Sequence, residues 1–208
     1  MESFAAHSQK GIMVVFSGPS GAGKNSIISS LIEADVNRVH SISLTTREPR
    51  PHEVNGVSYH FTTREHFETL IRHGDVLEYD EYCGSFYGTP REPVFQYLNE
   101  GKDVLLDLTV AGALQIREKC PDAILVFIMP PSIQELVSRL STRGTESEDA
   151  LAHRVETAKQ ELRMAVKFDY CVENAKLEDA VNDITAIMRA EKCRVSRLCI
   201  DGRLDKTV

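Results

Sequence analysis

Hydrophobic positions in this chain follow two patterns. Short continuous runs rich in β-branched residues alternate with longer segments in which apolar residues recur every three or four positions. The first pattern is typical of strands buried on both faces and the second of helices, so their alternation predicts an α/β fold with a mainly parallel sheet flanked by helices. The predicted strands are residues 13–17, 39–44, 104–108, 124–129 and 170–172. The predicted helices are residues 25–32, 92–100, 111–119, 133–141, 148–166 and 177–192. Capping-box sequences at Thr62, Ser132 and Thr145 mark three helix starts.

The segment from residue 45 to 89 departs from this alternation. It is rich in tyrosine, glycine, proline and charge, and its apolar runs at 57–61 and 76–82 predict antiparallel strands around one helix at 64–73. We interpret it as a small α+β subdomain inserted into the core. The polar tail after Lys192 is expected to fray.

The junction between the first strand and the first helix carries the clearest chemistry. Residues 18–24 have the form G-x-x-x-x-G-K, in which glycines let successive backbone N–H groups turn toward an anion. A lysine at the start of the following helix adds a positive charge where the helix dipole already favours phosphate. A glycine-rich turn with no ligand is the alternative. The predicted ATP-binding residues are Gly18, Pro19, Ser20, Gly21, Ala22, Gly23, Lys24, Asn25 and Ser26.

The predicted Mg²⁺ site is unusual. A P-loop lysine is ordinarily followed by Ser or Thr, whose hydroxyl binds Mg²⁺, but this chain has Asn25. Ser26 is not expected to replace that hydroxyl because it points about 100° away around the helix. An amide oxygen can bind Mg²⁺, and Asp107 ends a buried strand where a second ligand is expected. A helix N-cap or turn residue is the alternative interpretation of Asp107.

A proline-stiffened loop follows the second predicted strand. Arg47 and Arg50 lie three residues apart between Thr46 and Pro51, a spacing that lets two guanidinium groups clamp a phosphate. An exposed basic loop is the alternative. A second charged stretch carries Arg139, Arg143 and Arg154, for which a solvated helix-loop-helix is the alternative.

Bulk composition narrows the class of protein. A length of 208 residues suits one domain with small insertions, and a net charge of −7 argues against a general nucleic-acid binder. The five cysteines form no C-x-x-C pair, which favours reduced thiols in a cytoplasm. No apolar run approaches the length of a membrane span. We therefore expect a soluble cytoplasmic protein that binds neither nucleic acid nor membrane, as a monomer or a homodimer.

These residues resemble guanylate kinases, a family of P-loop nucleoside monophosphate kinases, from about residue 11 to 197. The matching blocks are SGPSGAGK, SLTTREPRPHEVNGVSYHF, LEYDEYCGSFYGTP, the strand ending in Asp107, PPSIQELVSRLSTRG and FDYCVEN. The second block is highly specific, because other P-loop kinases share the loop but lack this acceptor-side sequence. The resemblance implies a core of residues 11–44, 90–138 and 160–197, a GMP-binding subdomain of 45–89, a lid of 139–159, and flexible termini of 1–10 and 198–208.

The resemblance implies transfer of a phosphoryl group from ATP to GMP or dGMP, with Mg²⁺ as cofactor. The implied catalytic residues are Lys24, Arg47, Arg139, Arg143 and Arg154, and Asn174 is implied near the adenine. The implied GMP-binding residues are Ser43, Arg47, Arg50, Glu53, Tyr59, Glu78, Tyr87, Thr89 and Asp107. Guanine presents N1–H and N2–H donors along one edge, so an ionised Glu78 can select it over adenine. Sheet packing is the alternative role for Tyr59 and Tyr87, and both roles can coexist.

Three positions differ from the family pattern. Asn25 replaces a hydroxyl, Thr109 stands where the family has a second aspartate, and Ala111 stands where it commonly has glutamine. All three surround the metal and the transferring group, so we expect substrate binding to survive better than turnover. The main alternative is a catalytically weak or silent module that binds GMP or a phosphorylated partner. A P-loop kinase with another acceptor is a minor possibility.

Overall fold

The computed structural model describes residues 10–82, 84–141 and 148–200. Its strands are β1 Met13–Ser17, β2 Arg38–His40, β3 Leu44–Thr45, β4 His60–Phe61, β5 Val76–Tyr82, β6 Ser85–Pro90, β7 Asp103–Asp107, β8 Ile124–Met129 and β9 Tyr170–Glu173. Its α-helices are α1 Lys24–Ala34, α2 Arg64–His73, α3 Arg91–Asn99, α4 Val110–Lys119, α5 Ile133–Ser141, α6 Glu148–Arg163, α7 Leu177–Lys192 and α8 Val195–Ile200, with a 3₁₀ turn at Met164–Lys167.

A five-stranded sheet in the order β2-β7-β1-β8-β9 forms the core, and all of its pairings are parallel. Both faces of the sheet are buried, which is why its strands read as continuous apolar runs. Side chains alternate along β1, so Val14 and Phe16 pack with α1 and α7 while Met13 and Val15 pack with α3 and α4. The predicted α/β class with a parallel sheet is confirmed.

A second sheet in the order β4-β3-β6-β5 lies within residues 44–90. Phe67 of α2 is fully buried against Leu44 and Val76 of this sheet. The prediction missed β6, because Ser85–Pro90 contains serine, glycine and proline and lacks an apolar alternation. The strand predicted at 57–61 is reduced to His60–Phe61, and it pairs with β3 in parallel rather than antiparallel orientation.

The predicted strand at 39–44 was wrong as a single element. Residues up to His40 pair with β7 in the core sheet, whereas Leu44 and Thr45 pair with β6 in the second sheet. The intervening backbone bridges the two sheets, since the N–H of Ser41 donates to Leu105 and the carbonyl of Ser43 accepts from His60. Apolar content alone cannot show where a chain leaves one sheet for another.

The structure also differs from the predictions at the helix starts and in the C-terminal tail. Ser132 accepts a hydrogen bond from the N–H of Glu135 as predicted, but α2 is capped by Thr63 rather than Thr62. Thr145 lies outside the described residues. The tail expected to fray after Lys192 includes α8, where Arg197 donates to Glu191 and to the carbonyl of Asp122.

Within the described ranges, no helix combines the length and apolar content needed to cross a bilayer.

Candidate active site

The loop between β1 and α1 has the backbone geometry of an anion-binding turn. Gly18, Gly21 and Gly23 have φ values of 138°, 88° and 90°, which favour glycine. A Cβ on Gly18 would overlap the carbonyl oxygen of Ile128, and one on Gly23 would overlap the amide of Asn174. Gly23 is the N-cap of α1 and has no side chain to cap the helix. The N-terminus of α1 therefore faces the loop with its N–H groups available to an anion.

Lys24 and Asp107 meet beside this loop. Parallel pairing sets Phe16 of β1 against Asp107 at the carboxyl end of β7. Lys24 Nζ donates to the carbonyl of Gly18 at 2.8 Å and lies 3.9 Å from Asp107 Oδ1. Burial raises the pKa of Asp107, and Lys24 and His40 oppose that rise. Burial likewise lowers the pKa of His40, which Asp107 opposes. The ammonium group and the carboxylate thus lie close together beside the glycine-rich loop.

Asn25 and Ser26 face different clefts. Asn25, His40, Ser43, Tyr59 and Asp107 line one cleft of about 360 Å³. On the other side of the loop, Ser26 lines a cleft of about 330 Å³ together with Gly21, Gly23, Arg139, Asn174, Ala175 and Leu177. The amide and carboxylate oxygens on the first side are of the type that Mg²⁺ prefers. The described residues contain no group of three His, Cys, Asp or Glu side chains able to hold a metal alone, so phosphate oxygens and water would have to complete the set.

Arg47 is the centre of a polar cluster on the second sheet. Its Nη2 contacts both carboxylate oxygens of Glu53 at 2.8 and 3.0 Å, and its Nε donates to the Tyr87 hydroxyl at 3.2 Å. Its guanidinium carbon lies 5.5 Å from the Tyr59 ring centre. Glu53 also accepts from the backbone N–H of Arg50 at 2.8 Å. The hydrogen bonds from Arg47 and Arg50 lower the pKa of Glu53, which keeps this carboxylate ionised and the arginine oriented.

The cluster therefore unites most of the residues that sequence predicted for phosphate binding. The Tyr59 and Tyr87 ring centres lie 5.9 Å apart in an edge-to-face arrangement, so these tyrosines also pack against each other. Arg50 joins the cluster through its backbone, and its side chain is exposed.

Glu78 is a buried carboxylate on β5. Only 4% of its surface is exposed, and its Oε1 accepts a hydrogen bond from Thr89 Oγ1 at 2.6 Å. Burial is the main cause that raises the pKa of Glu78 to about 7, opposed chiefly by the Thr89 hydrogen bond. A Cβ at Gly112 would overlap Glu78 Oε2, so only glycine leaves room for this carboxylate beside α4. The group is held rigidly and can switch protonation state near neutral pH.

Arginines from α5 and α6 approach the loop from the opposite side. Arg139 Nε donates to Glu135 at 3.0 Å, and its Nη2 donates to the carbonyl of Asn174 at 3.1 Å. Arg154 Nη2 donates to Ser20 Oγ at 2.8 Å. The Asn174 amide donates to the carbonyl of Ala22 at 2.8 Å. Arg143 lies outside the described residues.

Sequence reasoning missed four residues at this site. His40 lies beside Asp107, Gly112 borders Glu78, and Asp80 bonds to Thr109. Burial raises the pKa of Glu161 of α6, and the charge of the nearby Lys24 opposes that rise. Asp80 alone had a signal, since it lies two residues after Glu78 and strand alternation places both on one face.

Three comparisons with known proteins agree with one another. The family model described as guanylate kinase matches residues 10–191. The guanylate kinases of Lactococcus lactis and Halalkalibacterium halodurans are 48% and 46% identical to this chain, each covering 91% of it and 93% of that relative. The crystal structure of guanylate kinase from Anaplasma phagocytophilum has a TM-score of 0.74 at 31% identity, covering 91% of this chain and 90% of that one.

Proposed function

We propose that this chain, which belongs to the guanylate kinase family, transfers the γ-phosphoryl group of ATP to the 5′-phosphate of GMP or dGMP, giving ADP and the nucleoside diphosphate. One observation carries the proposal. Asn25 and Asp107 from the side of the glycine-rich loop line the same cleft as Ser43 and Tyr59, which directly precede β3 and β4 of the second sheet. Transfer between two nucleotides needs their phosphates to meet in one place, and a cleft lined from both sides supports such a meeting.

The donor phosphates would lie on the loop of residues 18–24. The N–H groups at the start of α1 and the ammonium group of Lys24 would face the β- and γ-phosphates. On ATP binding, the Lys24 contact with Gly18 would give way to phosphate, while Asp107 keeps the ammonium group directed at the cleft. Asn174 would face the adenine from the cleft that it shares with Ser26.

The acceptor phosphate would lie against Arg47, Arg50, Tyr59 and Tyr87. Glu53 holds the Arg47 guanidinium so that little side-chain entropy is lost when the phosphate binds. Ser43, Glu78 and Thr89 would face the guanine, with the ionised Glu78 accepting hydrogen bonds from N1–H and N2–H. These contacts involve only the phosphate and the base, which GMP and dGMP share.

Mg²⁺ would be held by Asn25, by Asp107 directly or through water, and by the donor phosphates. When bound, it neutralises charge on the β- and γ-phosphate oxygens.

We assign residues 45–89 to a GMP-binding subdomain, 139–159 to a lid, and 11–44, 90–138 and 160–197 to the core. Arg139 and Arg154 would neutralise charge on the transferring phosphoryl as the lid closes, and closure would exclude water. Arg143 is assigned the same task from the sequence resemblance alone. We place the reaction in the cytoplasm, because Cys120, Cys171 and Cys193 are free thiols. We propose a monomer or a homodimer as the acting form.

A panel of nucleoside monophosphates with ATP and Mg²⁺ tests this proposal. We expect ADP formation with GMP and dGMP, and kcat/KM values at least about 100-fold lower with AMP, CMP and UMP. Absence of ADP at any Mg²⁺ concentration would reject the enzyme. Tight GMP binding without ATP binding would instead identify a silent binding module.

A further inference from the structure

Asp80 shares the face of β5 that carries Glu78. Strand alternation puts residues 78 and 80 on one side and Tyr79 on the other. Asp80 is partly buried, and its Oδ2 accepts a hydrogen bond from Thr109 Oγ1 at 2.8 Å. Its Oδ1 accepts from the N–H of Glu81 at 2.8 Å. The Asp80 carboxylate is therefore fixed in position rather than free in solvent.

The first turn of α4 connects Asp80 to Glu78. Thr109 is the N-cap of α4, and its Oγ1 accepts from the N–H of Gly112 at 3.1 Å while donating to Asp80. A Cβ placed on Gly112 would contact Thr109 Oγ1 at 3.5 Å and overlap Glu78 Oε2. Both carboxylates thus converge on the same helical turn, one through Thr109 and the other through direct contact with Gly112.

A two-point contact of Glu78 with N1–H and one N2–H would leave one hydrogen of a guanine edge without an acceptor. The edge offers three hydrogens, one on N1 and two on the C2 amino group. One oxygen of Glu78 already accepts from Thr89 at 2.6 Å. Each carboxylate oxygen has two lone-pair sites, so Asp80 can accept one more hydrogen bond beside its bonds to Thr109 and Glu81.

We propose that Asp80, positioned by Thr109, is a second specificity-determining carboxylate that accepts a hydrogen bond from the C2 amino group of the acceptor purine. The inference rests on the proposed function and adds a reason for selecting guanine among purines with a carbonyl at C6. Hypoxanthine has only hydrogen at C2 and would leave Asp80 without this partner. Xanthine has a carbonyl at C2 and would be repelled.

Electrostatics agrees with this arrangement. The charge of Asp80 contributes to raising the pKa of Glu78, whereas Thr89 and the ammonium group of Lys119 lower it. Two neighbouring carboxylates repel each other when no ligand is bound, and a ligand that donates hydrogen bonds to both relieves the repulsion. A purine with an amino group at C2 is such a ligand.

The test compares GMP with IMP as acceptors, using both kcat/KM and the calorimetric Kd. We expect Asp80→Ala to lower the GMP-to-IMP ratio about tenfold or more, through weaker GMP use with IMP little changed. Glu81→Ala is the matched control, because it removes the adjacent carboxylate from the exposed opposite face of the same strand. We expect the control to leave the ratio within about twofold of the unaltered protein, since the exposed Glu81 carboxylate pairs with Arg64 of α2 at 3.6 Å.

Moving the carboxylate from position 80 to position 109 tests whether Asp80 acts by binding the base or only by supporting the fold. Thr109 Oγ1 is 2.8 Å from Asp80 Oδ2, so an aspartate at 109 would bring a carboxylate to nearly the same place. The double variant Asp80→Ala/Thr109→Asp should recover most of the GMP-to-IMP ratio that Asp80→Ala loses. The proposal is overturned if Asp80→Ala keeps the ratio, if it weakens GMP and IMP equally, if Glu81→Ala has the same effect, or if the double variant recovers nothing. An unaltered protein that turns over no nucleotide would reject the proposed function, and the Kd ratio would still test Asp80.

Discussion

Glu78 illustrates how burial changes the protonation of an ordinary carboxyl group. A carboxylate with 4% exposure loses most of its hydration, and Thr89 supplies hydrogen bonds in its place. The resulting pKa of about 7 makes the charge of this side chain conditional near neutral pH. A guanine edge would restore the missing hydrogen bonds, so affinity for the base and ionisation of Glu78 are coupled.

The pKa of Glu78 predicts how activity depends on pH. Below about pH 7 the free protein holds a protonated Glu78, so kcat/KM for GMP should fall as pH is lowered from 8 to 6. The GMP phosphate titrates in the same window, and Glu78→Gln provides the control because it keeps the substrate's titration. We expect this variant to have a much lower kcat/KM. Its pH profile should also lack the fall that the protonation of Glu78 causes. Identical pH profiles for both proteins would contradict the assignment.

The same pKa predicts a stability effect of opposite sign. Glu78 has a higher pKa in the folded state than its ordinary value of 4.5, so the unfolded chain releases this proton first as pH rises. The free energy of unfolding should therefore decrease from about pH 4.5 to 7 on account of this group. Glu78→Gln should raise it by about 1–3 kcal/mol at pH 8 and leave it nearly unchanged at pH 4. Denaturant unfolding at the two pH values measures the difference, and an equal effect at both would argue against a buried ionised Glu78.

Asn25 predicts an altered metal requirement. The Asn25 side chain is longer than that of serine, so its amide oxygen would have to enter the octahedral coordination of Mg²⁺ from a backbone position suited to a shorter residue. Asn25→Ser should lower the Mg²⁺ concentration for half-maximal rate by about tenfold, the range in which changes around a metal site act. Asn99→Ser makes the same exchange at the end of α3, away from the cleft, and should have no effect. An unchanged Mg²⁺ dependence in Asn25→Ser would remove Asn25 from the metal site.

The junction of β1 and α1 shows which elements a sequence defines well. Continuous apolar runs predicted β1 and β8 with the bounds that the structure has, because strands buried on both faces admit almost only apolar residues. Ser85–Pro90 was missed because its pairing with β5 and β3 is established by distant residues rather than by its own pattern. A strand of this composition depends on its two partner strands more than on propensity.

Two glycines with positive φ should respond differently to the same substitution. A Cβ on Gly18 would overlap the backbone of Ile128, whereas one on Gly74 would have no neighbour within 4 Å. Gly74→Ala therefore adds only the cost of a left-handed backbone, about 1 kcal/mol, while Gly18→Ala should destabilise by about 3 kcal/mol or more. Thermal or denaturant unfolding checks the difference. Equal destabilisation would show that the loop can move away from β8.

Across the whole molecule, the sequence indicated which residues come together at the loop better than it indicated the contacts between distant residues. The glycines, Lys24 and Asp107 come together because parallel strands end at one edge of the sheet. The hydrogen bond between Asp80 and Thr109 joins residues 29 positions apart, and no local pattern indicates such a contact. Gly112 likewise shows its purpose only once Glu78 is placed against α4.

The most direct test of the account separates phosphoryl transfer from acceptor binding in one protein. GDP formation from ATP and GMP should be measured for the unaltered chain and for Lys24→Met, together with calorimetric GMP affinity for each. Because we assign Lys24 to the donor side and Arg47 and Glu78 to the acceptor side, we expect turnover to fall at least about 100-fold while the Kd for GMP changes less than about threefold. GDP formation by Lys24→Met at the unaltered rate, or none by the unaltered protein, would contradict the account.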